Sequence, residues 1–220
     1  MESSPLNPGS LKLAVPRGSL FAGSVDLLER IGFDVRELRA NDRKLTFDVG
    51  EGRTIMTTRP SDVPTYVEYG AADAGIVGKD VLLEHKRNVY ELADLGFGVC
   101  RVVYATPEGR DPEDEELKHL GAMRLATKFP NITREYFEGL GKQVETIELR
   151  GSIELAPQVD LAEGIVDLTA SGETLRENNL VERAEIAVCS ARLIANRVSL
   201  RLKAGMINEL TRRFKEVAKI

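Results

Sequence analysis

Leu11-Lys-Leu-Ala-Val-Pro-Arg-Gly-Ser-Leu-Phe-Ala-Gly-Ser-Val-Asp-Leu-Leu-Glu-Arg-Ile-Gly32 reads as a strand, a tight loop and a helix in direct succession. Leu11 to Val15 is a short apolar run. After Pro16-Arg-Gly-Ser19, the residues Leu20, Phe21, Val25, Leu28 and Ile31 recur at helical spacing until Gly32 ends them. The same grammar continues outward. Leu45 to Val49 alternates at period two, Gly50-Glu-Gly52 supplies a turn, and Arg53 to Thr58 resumes as a strand, which predicts a hairpin. Ser61 or Asp62 is placed to cap the next helix. That helix carries Pro64 in its first turn and Val63, Tyr66, Val67 and Tyr69 on an apolar side before Gly70 closes it. A strand from Asp73 to Val77, then Gly78-Lys-Asp80 and a helix from Val81 to His85, complete the first half.

The second half predicts a strand from Gly98 to Ala105, an exposed acidic connector from Pro107 to Glu116, and a strand from Met123 to Thr127. A helix from Ile132 to Leu140 follows with Asn131 as its cap. Next come a strand from Val144 to Leu149, a helix opened by Gly151-Ser-Ile-Glu154, a strand from Gly164 to Leu168, and a strand near Ile186 to Cys189. An amphipathic stretch from Met206 to Ile220 sets Ile207, Leu210, Phe214 and Val217 on one side. Strands alternating with helices call for an α/β fold: two lobes of mostly parallel sheet with flanking helices around a cleft. The expected division is a flexible N-terminus over 1–10, a discontinuous lobe I over 11–100 and 186–220, and lobe II over 101–185.

Composition narrows the function. The 220 residues are 42% hydrophobic, enough to bury a sizeable core, and 30% charged in mixed sign, with no apolar run of membrane-spanning length. A net charge of -5 argues against a nucleic-acid binder, because a phosphate backbone needs a basic face. Cys100 and Cys189 sit in apolar stretches and read as buried strand thiols in a reducing compartment. His85 and His119 lie beside lysines, and no His, Cys or Asp spacing suits a zinc site or a histidine triad. Met1 to Ser10 lacks the basic and apolar regions of a signal peptide, so a cytoplasmic location is expected.

Ligands of α/β sheets collect beyond the carboxyl ends of strands, which singles out Pro16–Ser19, Thr58–Pro60, Gly75–Asp80, Thr127–Asn131 and Ala170–Thr174. The last is the most specific. An apolar strand ending in Asp167 runs into Ala170-Ser-Gly-Glu-Thr174 at the mouth of a helix. Amides released by Gly172 can turn to a phosphate, the Ser171 and Thr174 hydroxyls can donate to it, and Asp167 can accept from ribose hydroxyls.

Glu154-Leu-Ala-Pro157 with Asp167-Leu-Thr-Ala-Ser-Gly-Glu-Thr-Leu175 resembles the signature of the ATP phosphoribosyltransferase family. Arg59 to Val67, Gly70 to Gly75, Gly78 to Leu83 and Ala126 to Asn131 look like family segments in family order, so the likeness runs from Leu11 to the C-terminus. It implies a periplasmic-binding-protein-like fold. It also implies a reaction in which N1 of the adenine of ATP attacks C1 of 5-phosphoribosyl 1-pyrophosphate, releasing pyrophosphate in the first step of histidine biosynthesis. Adenine N1 carries a free lone pair at neutral pH, so little general-base help is needed.

By the same resemblance, Arg17 and Arg59 are the catalytic cations that meet triphosphate and pyrophosphate, and Asp167, Ala170, Ser171, Gly172, Glu173 and Thr174 bind phosphoribosyl pyrophosphate. Gly18, Asp42, Gly75 and Phe129 surround the nucleotide, and Mg2+ bridges pyrophosphate oxygens. Two positions depart from the family: Asp160 stands where Gly is usual, and Ser19 where many members carry Arg. The chain stops too soon for an appended histidine-binding domain, so the resemblance implies the short form. That form works as a homodimer with a separate regulatory subunit related to histidyl-tRNA synthetase. Two other readings remain open: a bilobal small-molecule binding or sensor module, and a phosphoribosyltransferase that uses another base.

Overall fold

A computed structural model describes residues 10–41, 43–109 and 122–218. The predicted loose N-terminus ahead of Ser10, Asp42, most of the acidic connector and His119 lie outside them. The chain forms two units. One takes the sequence up to Leu82, Lys86–Gly98 and everything from Ser190 onward; the other takes Leu83–His85 and Val99–Cys189.

In the first unit, β1 (Leu11–Pro16) leads into α1 (Phe21–Arg30) and α2 (Arg36–Ala40), then the hairpin β2 (Thr46–Asp48) and β3 (Arg53–Thr58). Next come α3 (Val63–Glu68), β4 (Ala74–Gly78), α4 (Lys79–His85), whose last three residues count with the second unit, and β5 (Tyr90–Asp94). The period-two alternation of these strands divides the core. Leu13, Val15, Ile55, Ile76 and Leu193 face α1 and the C-terminal helix with Leu28, Ile207, Leu210 and Phe214. Ala14, Val77 and Ile194 point to the other face, where Val63, Val67 and Val81 of α3 and α4 cover them. Each buried aliphatic side chain contributes about 1.5–3 kcal/mol, so both layers hold the sheet.

The second unit contains β6 (Cys100–Pro107), β7 (Ala122–Thr127), α5 (Pro130–Gly139), β8 (Gln143–Glu148), a 3-10 segment (Ile153–Val159), β9 (Gly164–Thr169), α6 (Glu173–Glu177) and β10 (Leu180–Cys189). One sheet face packs Val102, Tyr104, Leu125 and Val166 on Ile132 and Phe137 of α5. The other packs Val103, Ala126 and Ile165 on Ile153, Ala156 and Leu175. The chain then returns to the first unit as β11 (Ala191–Ala195), α7 (Arg197–Leu202) and α8 (Ala204–Ala218).

The strand orders are β2-β3-β1-β4-β11-β5 and β10-β6-β9-β7-β8. Each sheet has a parallel set, β3-β1-β4 at the centre of one and β9-β7-β8 along one side of the other, extended by antiparallel strands. The sheets are therefore mixed where the sequence predicts mostly parallel ones, because the hairpin β2–β3 and the returning strands β10 and β11 pair antiparallel.

A buried ion pair fastens the C-terminal helices to the start of β1. Lys203 and Asp73, 3% and 4% exposed, meet at 2.8 Å. The Asp73 carboxylate also accepts from Ser199 Oγ (2.7 Å) and the Lys12 amide (2.8 Å), while Lys203 Nζ donates to the Ser10 carbonyl at 2.7 Å. Hydrogen bonds on both partners offset the desolvation that burial of two charges costs.

Local expectations are corrected in four places. Neither Ser61 nor Asp62 caps α3 with its side chain, and Tyr66 and Tyr69 are exposed beside buried Val63 and Val67. Asn131 lies inside α5; the buried Glu84 carboxylate accepts from the Asn131 and Ile132 amides instead. Cys189 is buried, but Cys100 only partly so. Asp160 has φ +55°, the left-handed region that favours glycine and that Asp tolerates better than most residues.

Candidate active site

β7 and β9 are parallel neighbours that pair Thr127 with Val166, so their loops leave the sheet at the same end. Thr127 Oγ1 ties the two exits together: it donates to the Val166 carbonyl at 2.7 Å and accepts from the Phe129 amide at 2.8 Å. One residue beyond Val166 stands Asp167. Its side chain is 16% exposed, and Oδ1 accepts from the Leu168 amide at 2.7 Å and lies 3.0 Å from Lys128 Nζ. Lys128 is 38% exposed and sits 5.1 Å from the centre of the Phe129 ring. A carboxylate and an ammonium thus flank the opening of the 170–174 loop.

Within that loop Gly172 has φ +73°, and its amide donates to Thr169 Oγ1 at 2.8 Å. A buried threonine hydroxyl therefore holds the Gly172 amide itself. Ala170, Ser171, Glu173 and Thr174 are exposed. Ser171 Oγ accepts from the Glu173 amide at 3.4 Å, which leaves its own proton to donate outward. Arg176 Nη1 donates to the Ser171 carbonyl at 3.1 Å and would lie 3.1 Å from a Cβ on Gly172. α6 is only five residues long, too short to carry much of a macrodipole, so side chains supply the charge at this loop.

The first unit brings a second pair of strand ends together. β1 and β3 run parallel and pair Pro16 with Thr58, and Arg17 and Arg59 directly follow them. Arg17 is braced: its amide donates to the Thr58 carbonyl at 2.8 Å, its Nη2 to the Lys44 carbonyl at 3.1 Å, and its guanidinium lies 4.6 Å from the Phe21 ring centre. Gly18 follows at φ +82° with open space beside it. Arg59 is exposed, and its guanidinium makes no hydrogen bond or ion pair to any described residue.

Gly75 and Phe129, expected around the nucleotide, are both buried. Gly75 is buried in mid-strand, where a Cβ would meet Val63 Cγ1 at 2.8 Å and Val67 Cγ2 at 3.0 Å; its missing side chain admits α3 to the sheet. Phe129 is 5% exposed and packs in the core beneath α5. Asp42 lies outside the described residues. Lys128 and Arg176 join the site in addition to the residues expected from the sequence. Lys128 carries a sequence signal, since it directly follows β7 in a strand-end loop.

The family model HisG: ATP phosphoribosyltransferase matches residues 59–216. An ATP phosphoribosyltransferase of Rubrobacter xylanophilus is 52% identical over 201 residues, covering 91% of this chain and 93% of that protein. One of Desulfitobacterium hafniense is 47% identical over 213 residues, covering 94% and 96%. Among solved structures, a chain of the ATP phosphoribosyl transferase (HisG:HisZ) complex from Thermotoga maritima superposes with TM-score 0.81 at 37% identity, covering 95% of this chain and 98% of that one. The periplasmic aliphatic sulphonate binding protein SsuA from Escherichia coli gives TM-score 0.58 at 14% identity, covering 96% and 73%, a likeness of fold alone. No helix among the described residues is long and apolar enough to cross a membrane. With the family signature standing at the carboxyl end of β9 and the likeness extending along nearly the whole sequence, the chain belongs to the ATP phosphoribosyltransferase family.

Proposed function

We propose that this chain transfers the phosphoribosyl group of 5-phosphoribosyl 1-pyrophosphate to N1 of ATP, giving N1-(5-phosphoribosyl)-ATP and pyrophosphate, the first step of histidine biosynthesis. Kinship with ATP phosphoribosyltransferases along nearly the whole sequence carries this reading, and the strand-end geometry supplies roles for residues. The Ser171 and Thr174 hydroxyls donate to the 5-phosphate. Asp167 accepts from the ribose hydroxyls, and Lys128 beside it provides the cation that the Ala170–Thr174 loop lacks.

The C1–O bond to pyrophosphate breaks as the adenine N1 lone pair approaches, so the transition state carries positive charge on the sugar and gathers negative charge on the leaving group. Arg59, with no described partner to give up, stabilises the departing polyanion, and braced Arg17 adds a second cation at the same sheet end. N1 bears no proton to remove, so no side chain has to act as a general base. Mg2+ belongs to this reading as the counter-ion of the polyphosphates, carried in with substrate.

Membership of the short form, with a regulatory subunit as partner, is supported by the two-protein assembly named for the Thermotoga maritima structure and by the near-complete mutual coverage with that chain. A homodimer of the catalytic chain and a cytoplasmic location complete the proposal. The test is incubation with phosphoribosyl pyrophosphate and either ATP or free purine and pyrimidine bases, followed by assay of pyrophosphate. Release with ATP alone supports the reading; release with a free base assigns a different acceptor, and binding without release assigns a sensor.

A further inference from the structure

Cys100 opens β6 and Cys189 closes β10, and the antiparallel ladder pairs them directly. Ala187 lies opposite Val102, Val188 opposite Arg101 and Cys189 opposite Cys100, beyond the last register shift. Directly opposed residues in such a ladder project to the same face with Cα atoms about 4.5–5.5 Å apart, inside the range of about 4.4–6.8 Å that a disulfide spans. Their packing agrees with that geometry. Cys189, 1% exposed, belongs to the cluster of Val102, Tyr104, Phe129 and Val166, and partly buried Cys100 packs against the same cluster. The position is also a boundary in the fold, since the long segment of the second unit begins at Val99 and ends at Cys189.

We infer that Cys100 and Cys189 form a disulfide when a low-molecular-weight disulfide such as oxidised glutathione reaches Cys100. The more accessible Cys100 reacts first. Its thiolate attacks one glutathione sulfur, the glutathione S–S bond breaks, and one glutathione thiolate leaves. The Cys189 thiolate then attacks the Cys100 sulfur, a protein S–S bond forms, and the second glutathione departs as thiolate. Both released thiolates take up the protons the cysteines gave to solvent, so two protein thiols are oxidised and one glutathione disulfide is reduced to two thiols. The product clamps the first residue of β6 to the last residue of β10, where the chain enters and leaves the second unit. Buried thiols are ordinarily inert; here the register supplies the partner and Cys100 supplies the access.

The whole chain is treated under native conditions with oxidised glutathione, quenched with an alkylating agent, and analysed by intact mass and peptide mapping. The expected product is lighter by two hydrogens, carries a linked peptide joining Cys100 to Cys189, resists alkylation, and reverts with dithiothreitol. Cys189→Ser is expected to stop at a glutathione adduct on Cys100, and Cys100→Ser to react at least roughly tenfold more slowly. The second variant changes a partly exposed position, so it decides the matter if the first fails to fold. Alkylation of both thiols after treatment, a stable glutathione adduct on the unmutated chain, or a disulfide between two chains would overturn the inference.

Discussion

The two sets of strand ends are prepared differently. At the ends of β7 and β9 the polar groups are engaged before any ligand arrives: Thr127 clasps both strands, Thr169 holds Gly172, and Lys128 neutralises Asp167. At the ends of β1 and β3, Arg17 is braced on backbone carbonyls while Arg59 has no described partner. A loop fixed by its own hydrogen bonds loses little entropy when it receives a sugar phosphate, so its substitutions register as lost ground-state binding. An exposed arginine stabilises charge that appears only as the leaving group departs, so its removal registers in turnover.

The largest expected effect comes from breaking the prepared side. Gly172→Val forces a branched residue into φ +73°, a backbone conformation that side chains rarely adopt. The strain displaces the loop and lowers kcat/KM for phosphoribosyl pyrophosphate by roughly 10³-fold, while circular dichroism reports a retained fold. Next, Arg59→Ala should reduce kcat by on the order of 10²-fold with the melting temperature unchanged. A lowered melting temperature at full activity would instead make Arg59 structural and erase the contrast.

Lys128 sharpens the comparison, because it serves Asp167 in the absence of substrate and the polyanion in its presence. Lys128→Met should raise KM for phosphoribosyl pyrophosphate about tenfold with a smaller change in kcat, and Lys128→Arg should recover most of the loss. Gly75→Ala separates packing from chemistry. Crowding Val63 and Val67 should cost about 1–3 kcal/mol in denaturant unfolding and leave kcat/KM of the folded enzyme within about twofold. A selective rise in KM for ATP would return Gly75 to the nucleotide site.

Elements whose signal is local were legible in the sequence. The Leu11–Gly32 unit and the strand leading to Asp167 carry their own periodicity, turn residues and apolar runs, and the structure forms β1–α1 and β9 there. Elements completed by distant residues were not. β5 bears Glu91 and Asp94, which look like loop residues until Lys79 and Arg192 pair with them. β11 is five residues, four of them small or aliphatic, shorter than a periodicity can establish, and becomes a strand by lying between β4 and β5.

The cap of α5 illustrates the same limit, since Asn131 is a local candidate but Glu84 reaches the amide from 47 residues earlier. At the site, residue types around Asp167 could be read, whereas the direction of the Gly172 amide and the duty of Gly75 depend on neighbours that only folding brings near.

The central claim is that the segments following β7 and β9 receive phosphoribosyl pyrophosphate. Backbone hydrogen exchange, measured with and without that ligand, tests it most directly. The account predicts slowed exchange in residues 167–175 and 127–131 at saturating ligand. Unchanged exchange in both segments, with binding confirmed by calorimetry and protection appearing elsewhere, would contradict it.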